Sequence, residues 1–521
     1  MMIRIHSFTN KLSSMFSGDT LTKKAILTAI ASVLDYVARW LVTFAINPLL
    51  VTSLGDFGYG VWQVLSRLIG YINPAGGRPT QALKWTIASQ QTSTDYDEKR
   101  RQVGSAVTVW FMFLPLISIL GAVLVWFVPN WLDAPLEYYP SVRWATSVLV
   151  ANLIFTNLVE LPQSVLRGEN LAYKRMGLTT VLALLGGVLM ALALFLHTGI
   201  VGVAVANLVS TAITGILFFK LARSYVEWFG IAKPMFSAVR KFLGLSWWFL
   251  AWNLVLQLLK AGDMVVLGVF DSAESVTRYS LTKYVPEIII GMVAIVVFSI
   301  TPGLGGIIGS GDLKRADRVR NEIMTLTWFI VTVFGSTMLL WNHSFVQLWV
   351  GEEYYAGTIA NSLMILMVSQ FVIIRNDANI LDLTLDLRLK VLMGFLSAAL
   401  SAGLSLILIR ILSDGIIGMT IGFICGQLVL SVGYPVLVGR YLGVSLSSQL
   451  RGIFRPVLVT VTYVGLILAL GKSLVVGSWF SLVLAGSLTV ILLSLIAFYV
   501  GLTSDQRKSL FGRIQKVYKT K

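Results

Sequence analysis

Charged side chains interrupt stretches of this chain that are otherwise apolar enough to lie in hydrocarbon. Asp35 and Arg39 break the apolar run that begins near Ala25, and Arg67 breaks the next. Lys260 and Asp263 break a third, Lys283 and Glu287 a fourth. An ionised group at mid-bilayer costs about 2.5–3.5 kcal/mol on insertion scales, so such groups face a watery cavity or a partner. Two pairs, Asp35/Arg39 and Lys283/Glu287, stand at i,i+4, where opposite charges on a helix can neutralise each other. Arg67 and Arg78 have no acidic neighbour in their own segment. Inside the apolar runs eight basic residues (Arg39, Arg67, Arg78, Lys84, Lys260, Arg278, Lys283, Arg375) stand against five acidic ones (Asp35, Glu160, Asp263, Glu287, Asp377). A surplus of cation in a polar interior suits an anionic cargo. Guanidinium forks suit phosphate in particular, because they meet two oxygens at once. Arg39, Arg67, Arg78, Lys260, Lys283 and Arg375 are therefore the candidate cargo-binding groups. Lys84 and Arg278 lie near span ends, where long basic side chains snorkel. Asp35, Glu160, Asp263 and Glu287 are carboxylates able to titrate in a cavity, and so to couple transport to protons or Na⁺. No spacing among them identifies an ion.

Such residues need helices to hold them at membrane depth, and the composition supplies the helices. The chain is 521 residues long, 56% hydrophobic and 13% charged, with a mean hydropathy of +0.79. That excludes a soluble globular protein. Apolar stretches of about 20 residues, long enough to cross a bilayer, recur at 25–50, 58–88, 105–128, 144–166, 177–197, 200–220, 243–268, 277–302, 322–348, 357–381, 389–410, 416–437, 457–474 and 479–502. The second contains Asn73-Pro74-Ala75-Gly76-Gly77-Arg78-Pro79, which predicts a break or kink. The first follows a polar, basic leader without a small-residue cleavage pattern and reads as a retained helix. With both termini inside, 30 of the 41 Lys and Arg fall on inside segments, 3 on outside loops and 8 within spans. A wrong helix count would invert that bias partway along. The net charge of +16 is thus mostly a topology signal and gives no argument for nucleic acid. Cys425 is the lone cysteine, so neither an intramolecular disulfide nor a Cys-based metal site is expected.

The chain also resembles itself at a spacing near 216. Phe127-Val128-Pro129-Asn130-Trp131 recurs as Phe345-Val346-Gln347-Leu348-Trp349, Tyr138-Tyr139 as Tyr354-Tyr355, and Gly199-Ile200-Val201-Gly202 as Gly415-Ile416-Ile417-Gly418. The expected fold is an all-α integral membrane protein of about 14 spans. Two parallel six-helix repeats, 25–230 and 231–441, follow a cytoplasmic segment (1–24), and two extra spans with a cytoplasmic tail (442–521) complete the chain. Thr28, Ser32, Asp35, Arg39, Thr43 and Asn47 form one polar stripe in the first span. Gln63 and Arg67 share a face in the second, Asn152, Thr156, Glu160 and Ser164 in the fourth, and Asn253, Gln257 and Lys260 in the seventh. Buried charge thus concentrates in the first two spans of each half, and the expected substrate site lies between the halves. Trp40, Tyr71, Trp247, Trp248, Trp252 and Tyr284 lie near these faces and could stack on sugar rings. Asp382 and Asp386 read as solvated.

Several segments resemble a known family. Leu54-Gly55-Asp56-Phe57-Gly58-Tyr59-Gly60-Val61-Trp62 resembles its connection from span 1 to span 2. Leu161-Pro162-Gln163-Ser164-Val165-Leu166-Arg167-Gly168-Glu169-Asn170 is similar to its span 4–5 junction, and Pro302 with Gly311-Asp312 and the basic run from Lys314 to its span 8–9 connection. On these motifs and the twelve-plus-two layout, the chain resembles the polysaccharide-repeat-unit (O-antigen, Wzx-type) flippases of the multidrug/oligosaccharidyl-lipid/polysaccharide exporter superfamily. It departs from them at Asn73–Arg78, where relatives carry an Asp-Leu-Gly-type stretch. The resemblance implies alternating access and movement of undecaprenyl-pyrophosphate-linked oligosaccharide from the cytoplasmic to the outer leaflet of the bacterial inner membrane. It implies membrane lipid, a polysaccharide polymerase and chain-length proteins as partners, and no cofactor.

Two other classes compete with this reading. The first is another carrier on the same scaffold, a peptidoglycan-precursor flippase or a cation-coupled multidrug extruder; the surplus of buried cation argues against a cationic drug. The second is a membrane enzyme of the same pathway. Short outer loops, dispersed His6, His197 and His343, and the lack of a nucleophile–base constellation argue against an enzyme.

Overall fold

The computed structural model describes residues 21–77, 79–90, 93–169, 171, 177–383, 387–470, 474–504 and 506–507. Arg78, Asp386 and the side chains of Trp247 and Trp248, all named above, lie outside these described residues. Fifteen long helices account for most of the rest. They are α1 (Leu21–Ile72), α2 (Pro79–Ser89), α3 (Tyr96–Trp131), α4 (Tyr139–Gly168), α5 (Leu178–Phe195), α6 (Gly199–Tyr225), α7 (Phe236–Phe270) and α8 (Ala273–Lys283). After them come α9 (Ile288–Gly309), α10 (Leu313–Trp349), α11 (Thr358–Leu383), α12 (Arg388–Ile411), α13 (Gly415–Leu442), α14 (Leu446–Leu470) and α15 (Trp479–Ile496).

Among the described residues, each of the fourteen expected spans lies mostly on helix. Among the described residues, eleven helices are long and apolar enough to cross a membrane. Spans 1 and 2 share α1, span 8 is divided between α8 and α9, and α14 has only a shorter apolar stretch, Pro456–Ile467. Large apolar side chains face outward. Leu184, Val188 and Leu192 on α5, and Leu392, Leu396 and Leu400 on α12, are between 41% and 63% exposed. Belts of that kind are stable against lipid, not water.

The internal repeat is visible in the local structure. Asp95 caps α3 by accepting from the Glu98 N–H at 2.9 Å, and Asp312 caps α10 from the Arg315 N–H at 3.1 Å. Both helices end at the repeated tryptophans, Trp131 and Trp349, and a 3₁₀ turn follows each, Leu136–Tyr138 and Glu352–Tyr354. Capping and turn chemistry therefore recur along with the sequence.

Two breaks depart from regular helix. The Asn-Pro-Ala-Gly stretch forms a 3₁₀ turn, Asn73–Gly76, which interrupts span 2 as expected. The second break was not foreseen: residues 284–287 divide span 8. Pro286 has no N–H to donate to the carbonyl of Thr282, four residues back. That carbonyl instead accepts from Asn342 Nδ2 at 2.8 Å.

By contact, the chain forms two compact units, residues up to Gly58 with Leu68–Leu250, and Tyr59–Arg67 with Ala251 onward. In the first, α4 packs against α2, α3 and α6, with Leu83, Ile87, Val103, Val165, Leu166 and Phe218 in its core. In the second, α10 packs against α9, α11, α14 and α15, and α13 joins α11 to α12. Ser397 and Ser401 of α12 meet Gly426 of α13, Ser405 meets Gly422, and Gly418 meets the backbone at Leu408 and Ile409, small residues that bring two backbones close.

The segment Tyr59–Arg67 joins the second unit through a local cause. Gly55 of α1 sits at φ 68°, ψ 177°, a backbone conformation open to glycine, and turns the helix there. Just beyond it, a Cβ on Gly60 would lie 1.9 Å from the carbonyl oxygen of Ala273. Only glycine permits that approach between α1 and α8.

Candidate functional site

Close packing at Gly60 lays one face of α1 along α8 and α7. Tyr59, Gln63 and Arg67 follow each other at i,i+4 on that face. Tyr59 is buried, and its hydroxyl is hydrogen-bonded with Ser280 and Gln63. Asp263 of α7 accepts from the Tyr279 hydroxyl at 2.5 Å and from the Met264 N–H at 2.8 Å, and forms a short contact with Lys283 Nζ. Lys283 also reaches Glu287 at 3.4 Å, and Glu287 reaches Arg67 at 4.0 Å. The result is a chain of alternating charge, Asp263–Lys283–Glu287–Arg67, drawn from three helices and the break after α8.

Exposure divides this chain into two ends. The side chains of Lys283 and Asp263 are 4% and 3% exposed, those of Arg67 and Glu287 25% and 28%. A buried, hydrogen-bonded pair is costly to break, about 3–5 kcal/mol when one partner is removed. A partly exposed contact at 4 Å is worth about 1 kcal/mol or less. Lys283 is therefore held, and Arg67 is releasable. Lys260 is exposed on α7 and acts electrostatically on Glu287. The open end thus carries two cations, Arg67 and Lys260, against one carboxylate.

The i,i+4 contact between Lys283 and Glu287 is present as expected, but Asp263 is the closer partner of Lys283. The other expected pair is not formed. Asp35 accepts hydrogen bonds from Thr179 at 2.5 Å and Thr180 at 2.6 Å, and Arg39 is exposed, with no ion pair among the described residues. Two hydroxyls at the start of α5 satisfy the carboxylate at short range, and the flexible arginine extends away. Glu160 is exposed on α4 and accepts from Thr80 at 3.3 Å.

Arg375 lies elsewhere in the second unit, its guanidinium 5.8 Å from the ring centroid of Trp252, with Nη1 buried and without a hydrogen-bond partner. The opposing cation there is Lys390, 3.6 Å from the same centroid, which donates to the Ala378 carbonyl at 2.9 Å and to Asp382. Asp382, expected to be solvated, is 31% exposed and is also the counter-ion of a fully buried lysine.

Two further buried pairs join residues for which no site role was expected. Arg320 of α10 forms a bidentate pair with Asp377 of α11, at 2.8 and 2.9 Å. Lys99 of α3 pairs with Glu169, at the end of α4, at 2.9 Å, and Glu169 also accepts from the Trp228 indole at 3.0 Å. Each ties the third span of a repeat to the fourth. Their signal was position, one to two turns after the capping Asp95 and Asp312, where a helix has already left the loop.

Among the described residues, fifteen helices, eleven of them long and apolar enough to cross a membrane, hold ionised groups between them and define a multi-pass membrane protein. Residues 88–307 match the polysaccharide biosynthesis protein family. No curated protein sequence matches the chain. The fold is similar to that of the lipid II flippase MurJ in an inward closed conformation, at a TM-score of 0.65 and 16% identity, over 91% of this chain and 99% of that one. It is also similar to a multidrug resistance MATE family transporter of the MOP superfamily in its inward-facing conformation, at a TM-score of 0.56 and 15% identity, over 78% and 94%. A MATE in complex with MaD5 gives a TM-score of 0.56 at 14% identity, over 82% and 97%. Residues 88–307 thus resemble one sequence family, and the fold resembles that of a flippase and of MATE transporters.

Proposed function

We propose that the protein translocates undecaprenyl-pyrophosphate-linked oligosaccharide repeat units from the cytoplasmic to the outer leaflet of the bacterial inner membrane. Transport proceeds by alternating access, with both termini cytoplasmic, and feeds surface polysaccharide biosynthesis. The observation that carries this reading is the unbalanced open end of the charge chain, Arg67 and Lys260 against Glu287, in a chain whose residues 88–307 match a polysaccharide biosynthesis family. A pyrophosphate that leaves water needs fixed donors, and Arg67 can exchange a weak 4.0 Å contact with Glu287 for a bidentate contact with phosphate. Lys283 serves as the fixed neighbour that holds Glu287 in place when Arg67 leaves. Arg39, exposed and without an ion pair among the described residues, is a second cargo cation.

A peptidoglycan-precursor flippase is the second reading, supported by the extent of the structural likeness to the lipid II flippase. Reconstitution separates the two: fluorescent lipid-linked repeat units and lipid II are offered to the purified carrier, and flipping is followed by loss of accessibility to an impermeant quencher. Preferential flipping of lipid II would overturn the first reading. Arg67→Lys is expected to slow transport measurably and Arg67→Ala more severely, with normal membrane levels of both. Wild-type transport by Arg67→Ala would mean that the cargo is recognised elsewhere.

A further inference from the structure

The first unit contains a cationic cleft that the transport reading does not use. It lies where α3 ends and α4 begins, among Trp126, Phe127, Trp131, Tyr138 and Trp144, all 38–67% exposed. Exposed aromatic side chains in such a band mark the membrane–water interface. A cleft of about 270 Å³ opens there, lined by Tyr139, Pro140, Arg143, Trp144 and Ser147.

Arg143 is held in this cleft by rings and not by acids. Its guanidinium carbon lies 4.6 Å from the ring centroid of Trp126 and 5.7 Å from that of Tyr139. Stacking occupies the faces of a guanidinium and leaves its five N–H edges free to donate. Nε is buried and has no hydrogen-bond partner, and among the described residues no carboxylate pairs with the group. The Ser147 hydroxyl donates to the Arg143 carbonyl at 2.9 Å and does not accept from Nε. The helix start adds no donors, since the preceding 3₁₀ turn takes the Tyr138 and Tyr139 N–H groups and Pro140 has none. A guanidinium with a buried, unpartnered Nε and no carboxylate beside it favours an anion.

From this geometry we infer that the cleft binds the phosphodiester headgroup of an anionic membrane phospholipid. Its volume, about 270 Å³, falls below the roughly 300–1,000 Å³ of pockets that enclose drug-sized ligands, which suits a headgroup better than an oligosaccharide. The surrounding apolar and aromatic surface accommodates acyl chains, which a free phosphate does not have. The bound lipid completes the hydrogen bonds of Arg143 and anchors the α3–α4 corner at the interface.

Native mass spectrometry of the detergent-solubilised full-length protein tests this with three probes of defined chemistry. Phosphatidylglycerol, phosphatidylcholine of the same chain length and inorganic phosphate are titrated separately. One phosphatidylglycerol is expected to be retained per protein, and Arg143→Gln should weaken that retention by about tenfold while phosphatidylcholine adducts stay unchanged. Ser147→Leu adds bulk to the cleft one helical turn from Arg143, on the same face of α4, without removing the charge, and should produce the same loss, which keeps the test valid if Arg143→Gln fails to insert. Equal retention of phosphatidylglycerol by wild type and both variants would overturn the inference. Equal binding of the two lipids by the wild type would also overturn it, because the cleft would then select chains and not the headgroup. Displacement of the lipid by inorganic phosphate at comparable concentration would reduce it to a bare anion site.

Discussion

The two halves of this protein follow one architectural plan and carry different charge inside it. In each half an aspartate-capped helix of the third span ends in a repeated tryptophan, and a buried ion pair ties that span to the fourth. The pair is Lys99–Glu169 in the first half and Arg320–Asp377 in the second. At mid-span the likeness ends. The first half satisfies Asp35 with two neutral hydroxyls, whereas the second strings Asp263, Lys283 and Glu287 together, draws in Arg67 from the first half's second span, and packs Lys390 against Asp382 and Trp252. The repeat therefore acts as an internal control. What both halves share is scaffold; what one half alone carries, at a cost in desolvation, is the place to look for function.

The largest effect is expected where the shared scaffold is broken. Arg320 and Asp377 are 5% and 2% exposed and joined by two parallel hydrogen bonds. Asp377→Ala leaves a buried guanidinium unpaired and should cost about 3–5 kcal/mol, seen as loss of folded protein in fluorescence-detected size exclusion. Arg320→Met with Asp377→Leu removes both charges and should recover most of that loss. Lys99→Ala should cost less than Arg320→Ala, because Glu169 is 12% exposed and keeps the Trp228 indole as a donor. Equal thermal shifts for Lys99→Ala and Arg320→Ala would remove the difference in burial as the cause.

An intermediate effect is expected at Asp263–Lys283, and there folding and transport should separate. Lys283→Met alone leaves Asp263 buried with only the Tyr279 hydroxyl and one N–H as donors, so protein levels should fall. Asp263→Asn with Lys283→Met should restore levels, since no net charge is left in hydrocarbon. Transport should stay impaired in the double variant, because Glu287 has lost the fixed cation that holds it when Arg67 leaves. Recovery of transport together with protein levels would make the inner pair a lock without a part in the cycle, equivalent to the pairs found in both halves.

Sequence periodicity exposed what depends on neighbours along the chain and missed what depends on neighbours across it. The spans, the break at Asn73–Gly76, the internal repeat and the contact between Lys283 and Glu287 all follow from local spacing. Lys283 meets Asp263 from an adjacent helix, and Arg67 meets Glu287 across more than two hundred residues, so neither contact has a signal at helical period. Asp35 and Arg39 show the opposite failure. Their spacing permits a pair, but Thr179 and Thr180 reach the carboxylate first from another helix. The division of span 8 was legible in Pro286, though a proline inside an apolar run does not say which carbonyl it frees. Asp382 shows a further limit: near a span end, charge alone does not tell which partly solvated carboxylate also pairs with a buried cation.

The smallest effect on stability is expected at Asp35 and Arg39, where the first half lacks the charge chain of the second. Arg39 is exposed and unpaired among the described residues, so Arg39→Gln should leave the melting temperature unchanged. Asp35→Asn keeps one acceptor oxygen for Thr179 or Thr180 but points its amide donors at the other hydroxyl, a loss of about 1 kcal/mol. With no ion pair between them, the two changes act independently, and the double variant should show the sum of the single shifts within about 0.5 kcal/mol. Transport gives the sharper reading. If Arg39 contacts cargo, Arg39→Gln lowers flipping at unchanged stability, and adding Asp35→Asn does not rescue it. Rescue by the double variant would show that the two residues pair at some stage of the cycle, and the contrast between the halves would then be one of conformation and not of design.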